Sequence, residues 1–405
     1  MPVPGSPVSY APFSSALSIL AKTLTILDLS LASNSTNLPK LSDILNICSS
    51  LAMLRYVVRS GDPIFIPIRI AAQHETMMLK KLVLSSACEH DKMHPTELQK
   101  LLKHSPYLSF LTLGNCDDSI YTAVEKYGQN ITSLHINHYG PPYSVWFNKD
   151  LSDNCDSILS DYNSPGLKHS SVNGIASPCS FLSLIKEHHR TLSSLLFLLQ
   201  SETRHNFNEW DRLTDVLSFL PFPNLTHIHL QDSAENSTFV CTYILPAIIT
   251  TMNNVNNQQK TPNLQCLELY IPDRIPNNIM DAIAIMPRLT ELELMYCSFD
   301  PNKMLEMLKI FERSNNSAII TAPTTRATTL SSSVSLLTKL KLRWNENILN
   351  DNIVLTASKI KSLIRLTIDY PDARDIIYKT FVQNVSQLPL LQYLEIAQMQ
   401  MTMDD

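Results

Sequence analysis

Leu289-Thr290-Glu291-Leu292-Glu293-Leu294, followed by Met295-Tyr296-Cys297, decides the fold. Aliphatic side chains stand at its first, fourth and sixth positions. The last two are two residues apart, the period of an extended strand with one buried face. Cys297 comes three residues after the last leucine. Asp300-Pro301-Asn302-Lys303-Met304-Leu305-Glu306-Met307-Leu308 follows. An acidic residue and a proline open this stretch, and apolar residues then recur at helical spacing. Strand, turn and helical return make one unit, and such a unit cannot bury its apolar face alone.

The same pattern runs through the chain. It occurs at Leu24-Leu27-Leu29, Leu79-Leu82-Leu84, Leu108-Leu111-Leu113, Ile131-Leu134-Ile136, Leu225-Ile228-Leu230, Leu264-Leu267-Leu269, Leu337-Leu340-Leu342, Leu363-Leu366-Ile368 and Leu391-Leu394-Ile396. Leu51-Leu54-Tyr56 and Leu192-Leu195-Phe197 are degenerate copies, for twelve in all. The copies starting at 24, 51, 79 and 108 are 27, 28 and 29 residues apart. Those at 264 and 289 are 25 apart, and those at 337, 363 and 391 are 26 and 28 apart. Pro95-Thr96-Glu97-Leu98-Gln99-Lys100-Leu101-Leu102 is a second clear helical return, and Leu38 to Leu45 and Phe181 to His189 are others.

These spacings resemble leucine-rich repeats, whose period is about 20–29 residues. The family pattern also places Asn or Cys where Cys116, Cys297 and Asn345 stand; Ala32, Ala87 and Ser233 fill that place elsewhere, and Pro272 and Pro371 depart from it. The resemblance implies an α/β leucine-rich-repeat solenoid, a horseshoe with parallel strands on the concave face and helices on the convex face. It covers residues 21–405, behind an N-terminal tail or cap at 1–20. Three spacings are too long, 61, 39 and 48 residues. They point to loop insertions near 140–178, 251–262 and 313–335, all rich in polar residues.

Composition narrows the function. Lys and Arg number 32 and Asp and Glu 37, a net charge of −5. That balance argues against nucleic acid or an anionic membrane as the main partner. Hydrophobic residues are 44% of the chain, enough for a sizeable core, and no apolar run approaches the ~18 residues of a membrane span. No secretory signal is evident, so the eight cysteines are expected as thiols, the triplets at Asn34, Asn130, Asn224 and Asn384 as chance, and the protein in cytoplasm or nucleus. A monomer is expected. With seven glycines there is no phosphate-binding loop and no nucleophile elbow. His74-Glu75-Thr76-Met77-Met78 opens like a zinc-protease helix but has methionine for the second histidine. His90 and His94 have no third ligand, and His188-His189-Arg190 suits a helix C-terminus. No cofactor, metal or catalytic constellation is read from the chain.

What remains is a surface. In the solenoid reading, residues between the aliphatics of each strand face solvent. Early strands are bland there: Asp28, Ser30, Val83, Ser85, Thr112 and Gly114. The middle carries His135, His138, His227, His229 and Asp232. Later strands carry an acidic, aromatic strip of Glu268, Tyr270, Glu291, Glu293 and Tyr296. Beside it lies a basic, aromatic strip of Lys339, Lys341, Arg343, Trp344, Arg365, Tyr370 and Tyr393. Tyr, Trp and Arg dominate protein-binding hot spots. Strand propensity and lateral Glu–Lys pairing explain the same residues without a partner.

The phrases Met286-Pro287-Arg288-Leu289 and Phe222-Pro223-Asn224-Leu225 are similar to those of F-box/leucine-rich-repeat proteins and of the ribonuclease-inhibitor-like group. The resemblance implies a non-catalytic array that captures a substrate on its concave face for an SCF-type, cullin–RING ubiquitin ligase, whose adaptor would be a further partner. An F-box itself is not evident, since 23 residues precede Leu24 and Leu38-Pro39-Lys40-Leu41 reads as part of a return helix. The alternatives are a stand-alone scaffold and a regulator of a small GTPase, neither linked to a ligase.

Overall fold

Every copy of the motif forms a strand, because alternate leucines find a row of identical neighbours on each side. The computed structural model describes residues 11–31, 40–58, 76–86, 92–116, 119–138, 166–173, 178–199, 215, 220–232, 244–253, 263–272, 274–320, 336–343, 349–369 and 375–397. The chain divides into two units, Met1–Leu192 and Ser193–Asp405.

The first unit holds strands β1 (Ile26–Leu31), β2 (Met53–Val58), β3 (Lys81–Ser86), β4 (Phe110–Gly114), β5 (Ser133–Asn137) and β6 (His169–Asn173). They pair in parallel, each with the next. Helices α1 (Ala11–Leu20), α2 (Leu41–Ile47), α3 (Pro95–His104), α4 (Ser119–Tyr127) and α5 (Pro178–His188) alternate with them. The second unit holds β7 (Ser194–Leu199), β8 (His227–Asp232), β9 (Cys266–Tyr270), β10 (Glu291–Met295), β11 (Lys339–Arg343), β12 (Arg365–Asp369) and β13 (Tyr393–Ala397), again parallel and in chain order. Its helices are α6 (Leu245–Asn253), α7 (Asn277–Ala284), α8 (Pro301–Ile320), α9 (Asp351–Ala357) and α10 (Asp375–Val385). Parallel neighbours require a crossover at every step, and among the described residues these helices supply it wherever one lies between two strands. Within each unit this is a leucine-rich-repeat solenoid.

The register stacks the core into rows. In the second unit Leu195, Ile228, Leu267, Leu292, Leu340, Leu366 and Leu394 lie side by side. Leu267, Leu292, Leu340 and Leu366 are fully buried, whereas Leu394 on the last strand is 41% exposed. Each buried leucine contributes about 1.5–3 kcal/mol, so the value of a repeat depends on its neighbour. Tyr56 and Phe197, the aromatic departures in the degenerate copies, are also buried and fill leucine places in the row.

A backbone clamp repeats at each junction. The N–H groups of Ala52 and Met53 both donate to the Thr25 carbonyl, at 2.8 and 3.0 Å. Thr290 and Glu291 do the same to Gln265, and Thr338 and Lys339 to Thr290. A threonine directly after the first aliphatic residue adds its hydroxyl to the same carbonyl: Thr132 to Ser109, Thr226 to Ser193, Thr290 to Gln265 and Thr338 to Thr290, at 3.0–3.2 Å. The turn position behaves as the motif implies. The buried Cys297 thiol lies 3.4 Å from the Leu269 carbonyl and 3.3 Å from that of Met295. At Pro272 no thiol is present, and the Ile271 N–H donates to the Met295 carbonyl at 3.3 Å. Asn345, Ala32, Ala87, Ser233 and Pro371 lie outside the described residues.

Helix starts follow their capping chemistry. Pro95 opens α3, and the His94 ring accepts from the Thr96 N–H at 3.4 Å. Asp300 Oδ1 accepts from the Asn302 N–H at 2.9 Å ahead of α8. Lys186 and His188 occupy the last turn of α5, where cations interact favourably with the helix dipole.

One reading is corrected. Residues 169–173, placed by composition in the 140–178 loop, form β6, with Ser133 opposite His169 and Leu134 opposite Ser170. The copy is Leu167-x-x-Ser170-x-Val172, and serine in the central leucine place hides it. It divides the long spacing of 61 residues into 36 and 25. The helix of the 251–262 region reaches Asn253 and that of the 313–335 region reaches Ile320; residues 254–262 and 321–335 lie outside the described residues.

These rows set a gradient of cost. Leu340→Ala is expected to destabilise the protein by about 2–5 kcal/mol. Leu394→Ala, half exposed already, is expected to cost roughly 1 kcal/mol or less. Urea unfolding monitored by circular dichroism checks the order, and equal losses would refute the stacking argument.

Candidate functional site

Alternation along β8–β13 places three further rows on the opposite side of the sheet from the leucines. The first is His227, Cys266, Glu291, Lys339, Arg365 and Tyr393. The second is His229, Glu268, Glu293, Lys341, Thr367 and Glu395. The third contains Gln231, Tyr270, Met295 and Arg343. Of the twelve expected face residues, ten are described; Trp344 and Tyr370 lie outside the described residues.

The acidic and basic strips interlock. Lys339 Nζ lies 2.5 Å from Glu293 and 3.4 Å from Glu291, and Lys341 Nζ lies 3.0 Å from Glu293. His229 Nδ1 and Glu268 Oε2 are 2.5 Å apart. Arg343 reaches past β12 to Glu395. Glu395 also accepts from the Tyr393 hydroxyl at 3.1 Å and from Thr367 at 3.4 Å. The lateral Glu–Lys pairing expected from neighbouring strands is therefore real. Each partly exposed pair contributes about 0–1 kcal/mol, so the ladder balances charge across the strands more than it stabilises them.

Local electrostatics follow from this packing. Burial pushes the Glu268 carboxyl up, but the hydrogen bond with His229 and the charges of His229, Lys339 and Lys341 outweigh it and hold it at about 2. Burial alone would lower Lys339, yet its bond to Glu293 and the charges of Glu291 and Glu268 raise it. Cys266 is pushed far up by burial and by Glu268 and Glu291, which makes its thiol a poor nucleophile. The buried Cys297 thiol is pushed up to about 12.

Aromatic groups occupy the margins of the ladder. The Tyr270 and Tyr296 rings meet at 4.7 Å with planes 59° apart. Burial and a hydrogen bond with Tyr296 raise the Tyr270 phenol to about 12. The Arg365 guanidinium lies 5.7 Å from the Tyr393 ring centre. The sequence reading omitted Glu395, although it stands two residues from Tyr393 and so on the same face. Alternation alone could have found it.

The first unit departs from expectation. Thr112, Ser133, His135 and Ser171 stand on the strand face of β4–β6 yet are buried, His135 to 2% exposure. The His135 ring packs on Phe110 at 5.0 Å and bonds Ser133 at 2.9 Å. Burial, with His169 and Lys81 nearby, lowers its pKa to about 3. His138 is also buried; its Nδ1 donates to the Cys116 carbonyl at 2.7 Å and its Nε2 pairs with the Tyr121 hydroxyl at 3.1 Å. Both histidines serve the interior. His94 caps a helix, and His74 and His90 lie outside the described residues. Among the described residues no group of three His, Cys, Asp or Glu could hold a metal ion, and no helix is long and apolar enough to cross a membrane.

No family model and no curated protein matches this sequence. Among solved structures the chain is similar to one described as the crystal structure of the Rad7 and Elc1 complex in yeast. The identity is 16% and the TM-score 0.42, over 78% of this chain and 69% of that one.

His135 gives the stability a pH dependence of known sign. The unfolded ring takes a proton near pH 6.5, while the folded ring refuses it down to about 3. Acid therefore favours the unfolded chain across that window, by up to about 1.4 kcal/mol per pH unit. Burial lowers His188 and His227 as well, in the same direction. His135→Gln is expected to lose about 2 kcal/mol less than the unsubstituted protein between pH 6.5 and pH 5. Urea midpoints at the two pH values measure this, and identical slopes would rule it out.

Proposed function

We propose that this chain is a non-catalytic protein-binding module, and that the strand face of its second unit takes the partner. The observation that carries the reading is the placement of large aromatic groups. Tyr296 and Tyr393 stand 41% and 47% exposed at the margins of an ordered charge ladder. Tyrosines held rigidly beside arginine are the chemistry of interface hot spots. Glu268, Glu291, Glu293, Lys339, Lys341 and Arg343 form the polar surround, with Trp344 and Tyr370 assigned to the same face from their sequence places.

The finer reading is that the bound protein is a substrate presented to a cullin–RING ubiquitin ligase, with the ligase adaptor as a second partner. The similarity of the Pro-x-Leu phrases to F-box/leucine-rich-repeat proteins supports it. One of those phrases also has a structural use here. The Asn263 side chain donates to the Pro223 carbonyl at 2.6 Å, tying one return to the next.

Two measurements test the reading. Affinity purification of the full chain from its native cells, with mass spectrometry, is expected to recover the adaptor and cullin; their absence beside other enriched proteins would leave a stand-alone scaffold. The double substitution Arg365→Ala with Tyr393→Ala is expected to weaken capture of those proteins by about tenfold or more, or about 1.4 kcal/mol. Its unfolding midpoint should stay near that of the unsubstituted chain, and undiminished capture would move the site off this face.

A further inference from the structure

Tyr296 adopts the left-handed backbone region, with φ 55°. Among the described residues one other non-glycine does so, Asn115 with φ 57°. The two places are equivalent, each one residue before the turn cysteine, Cys116 or Cys297. In both, the residue's N–H donates to the last residue of the following strand: Asn115 to the Asn137 carbonyl at 2.7 Å, Tyr296 to that of Arg343 at 3.0 Å. Where cysteine follows, the turn takes this conformation with either side chain; Ile271, ahead of Pro272, makes the equivalent bond to Met295 without it.

Asparagine tolerates the left-handed region, and a bulky side chain does not. Asn115 meets the demand from a buried place, whereas Tyr296 keeps much of its ring in solvent. Folding alone gives little reason for tyrosine there. What the strained backbone does is hold the ring against Tyr270. Strain of this kind is kept where a side chain has work outside the fold.

The charges nearby narrow the ligand. Each carboxylate of the ladder already has a partner: Glu268 bonds His229 and feels the charges of Lys339 and Lys341, Glu291 and Glu293 have Lys339, and Glu395 has Arg343. A cationic partner reaching for these carboxylates would have to break bonds that already exist, and Arg365, the cation set against the Tyr393 ring, belongs to the other margin of the face. An apolar one needs only the rings. We infer that the Tyr270–Tyr296 pair is the anchor of a site for an uncharged segment of a partner protein, one presenting aliphatic or proline side chains. The inference rests on the proposal that this face binds protein, and it needs no ligase.

The test uses the full chain and a phage-displayed library of random short peptides. Selected peptides are expected to be rich in aliphatic residues and proline. They should bind equally within about twofold at about 0.1 M and about 0.5 M salt. Tyr296→Asn is expected to weaken them by about tenfold or more. Its urea midpoint should equal or exceed that of the unsubstituted chain, because asparagine accepts the turn. A clear fall in midpoint would make Tyr296 a packing residue and overturn the inference. Charged, salt-released peptides, peptides that bind Tyr296→Asn undiminished, or a library yielding no binder would overturn it too. Charged binders that still compete with the natural partner would spare the protein-binding reading while removing this one.

Discussion

The repeats of this protein depend on one constraint: a strand with two or three leucines cannot dry them without a copy of itself alongside. Leu292 is fully buried because Leu267 and Leu340 flank it in register. The backbone clamp makes that register specific. One carbonyl accepts two successive N–H groups from the next repeat, so a strand shifted by one residue would lose both bonds and turn its leucines outward. Threonine at the clamp adds a hydroxyl to the same acceptor. Hydrophobic stacking supplies the energy, and the clamp and its threonines choose the alignment.

That alignment has a consequence for the opposite side of the sheet. Once leucines are in register, so are the residues between them. Glutamates on β10 then necessarily face lysines on β11, Glu268 on β9 meets His229 on β8, and the strips that look separable in sequence become one ladder. Its charges are largely spent on each other. Recognition on such a surface falls to the groups at its margins, the tyrosines and Arg365. Cys266 is chemically quiet because it is buried in this row, and the carboxylates around it further oppose a thiolate.

The two units use one architecture differently. In the second, strand-face rows are charged and partly open. In the first, the corresponding positions on β4–β6 are small or neutral and buried, with His135 held uncharged between Phe110 and Ser133. A histidine in a strand-face row can thus belong to the interior or to the ladder, as His135 and His229 do. Their surroundings decide, since His229 meets Glu268 while His135 meets a ring, a hydroxyl and like charge.

Much of this was legible in the residues alone. Twelve strands, the helical returns at Pro95 and Pro301, the cysteine turns and most of the ladder follow from local periodicity and from the spacing of leucines. Both are short-range rules that neighbouring repeats enforce together. The β6 strand was not legible, because Ser170 stands where an aliphatic residue signals the motif; only pairing with β5 identifies it. Burial of the first unit's strand face and the reach of Arg343 past β12 to Glu395 were also invisible. So was the left-handed turn beneath Tyr296. Each involves contacts between residues 20 or more apart in the chain. Periodicity determines which way a side chain points, and only the packed neighbours determine what it meets there.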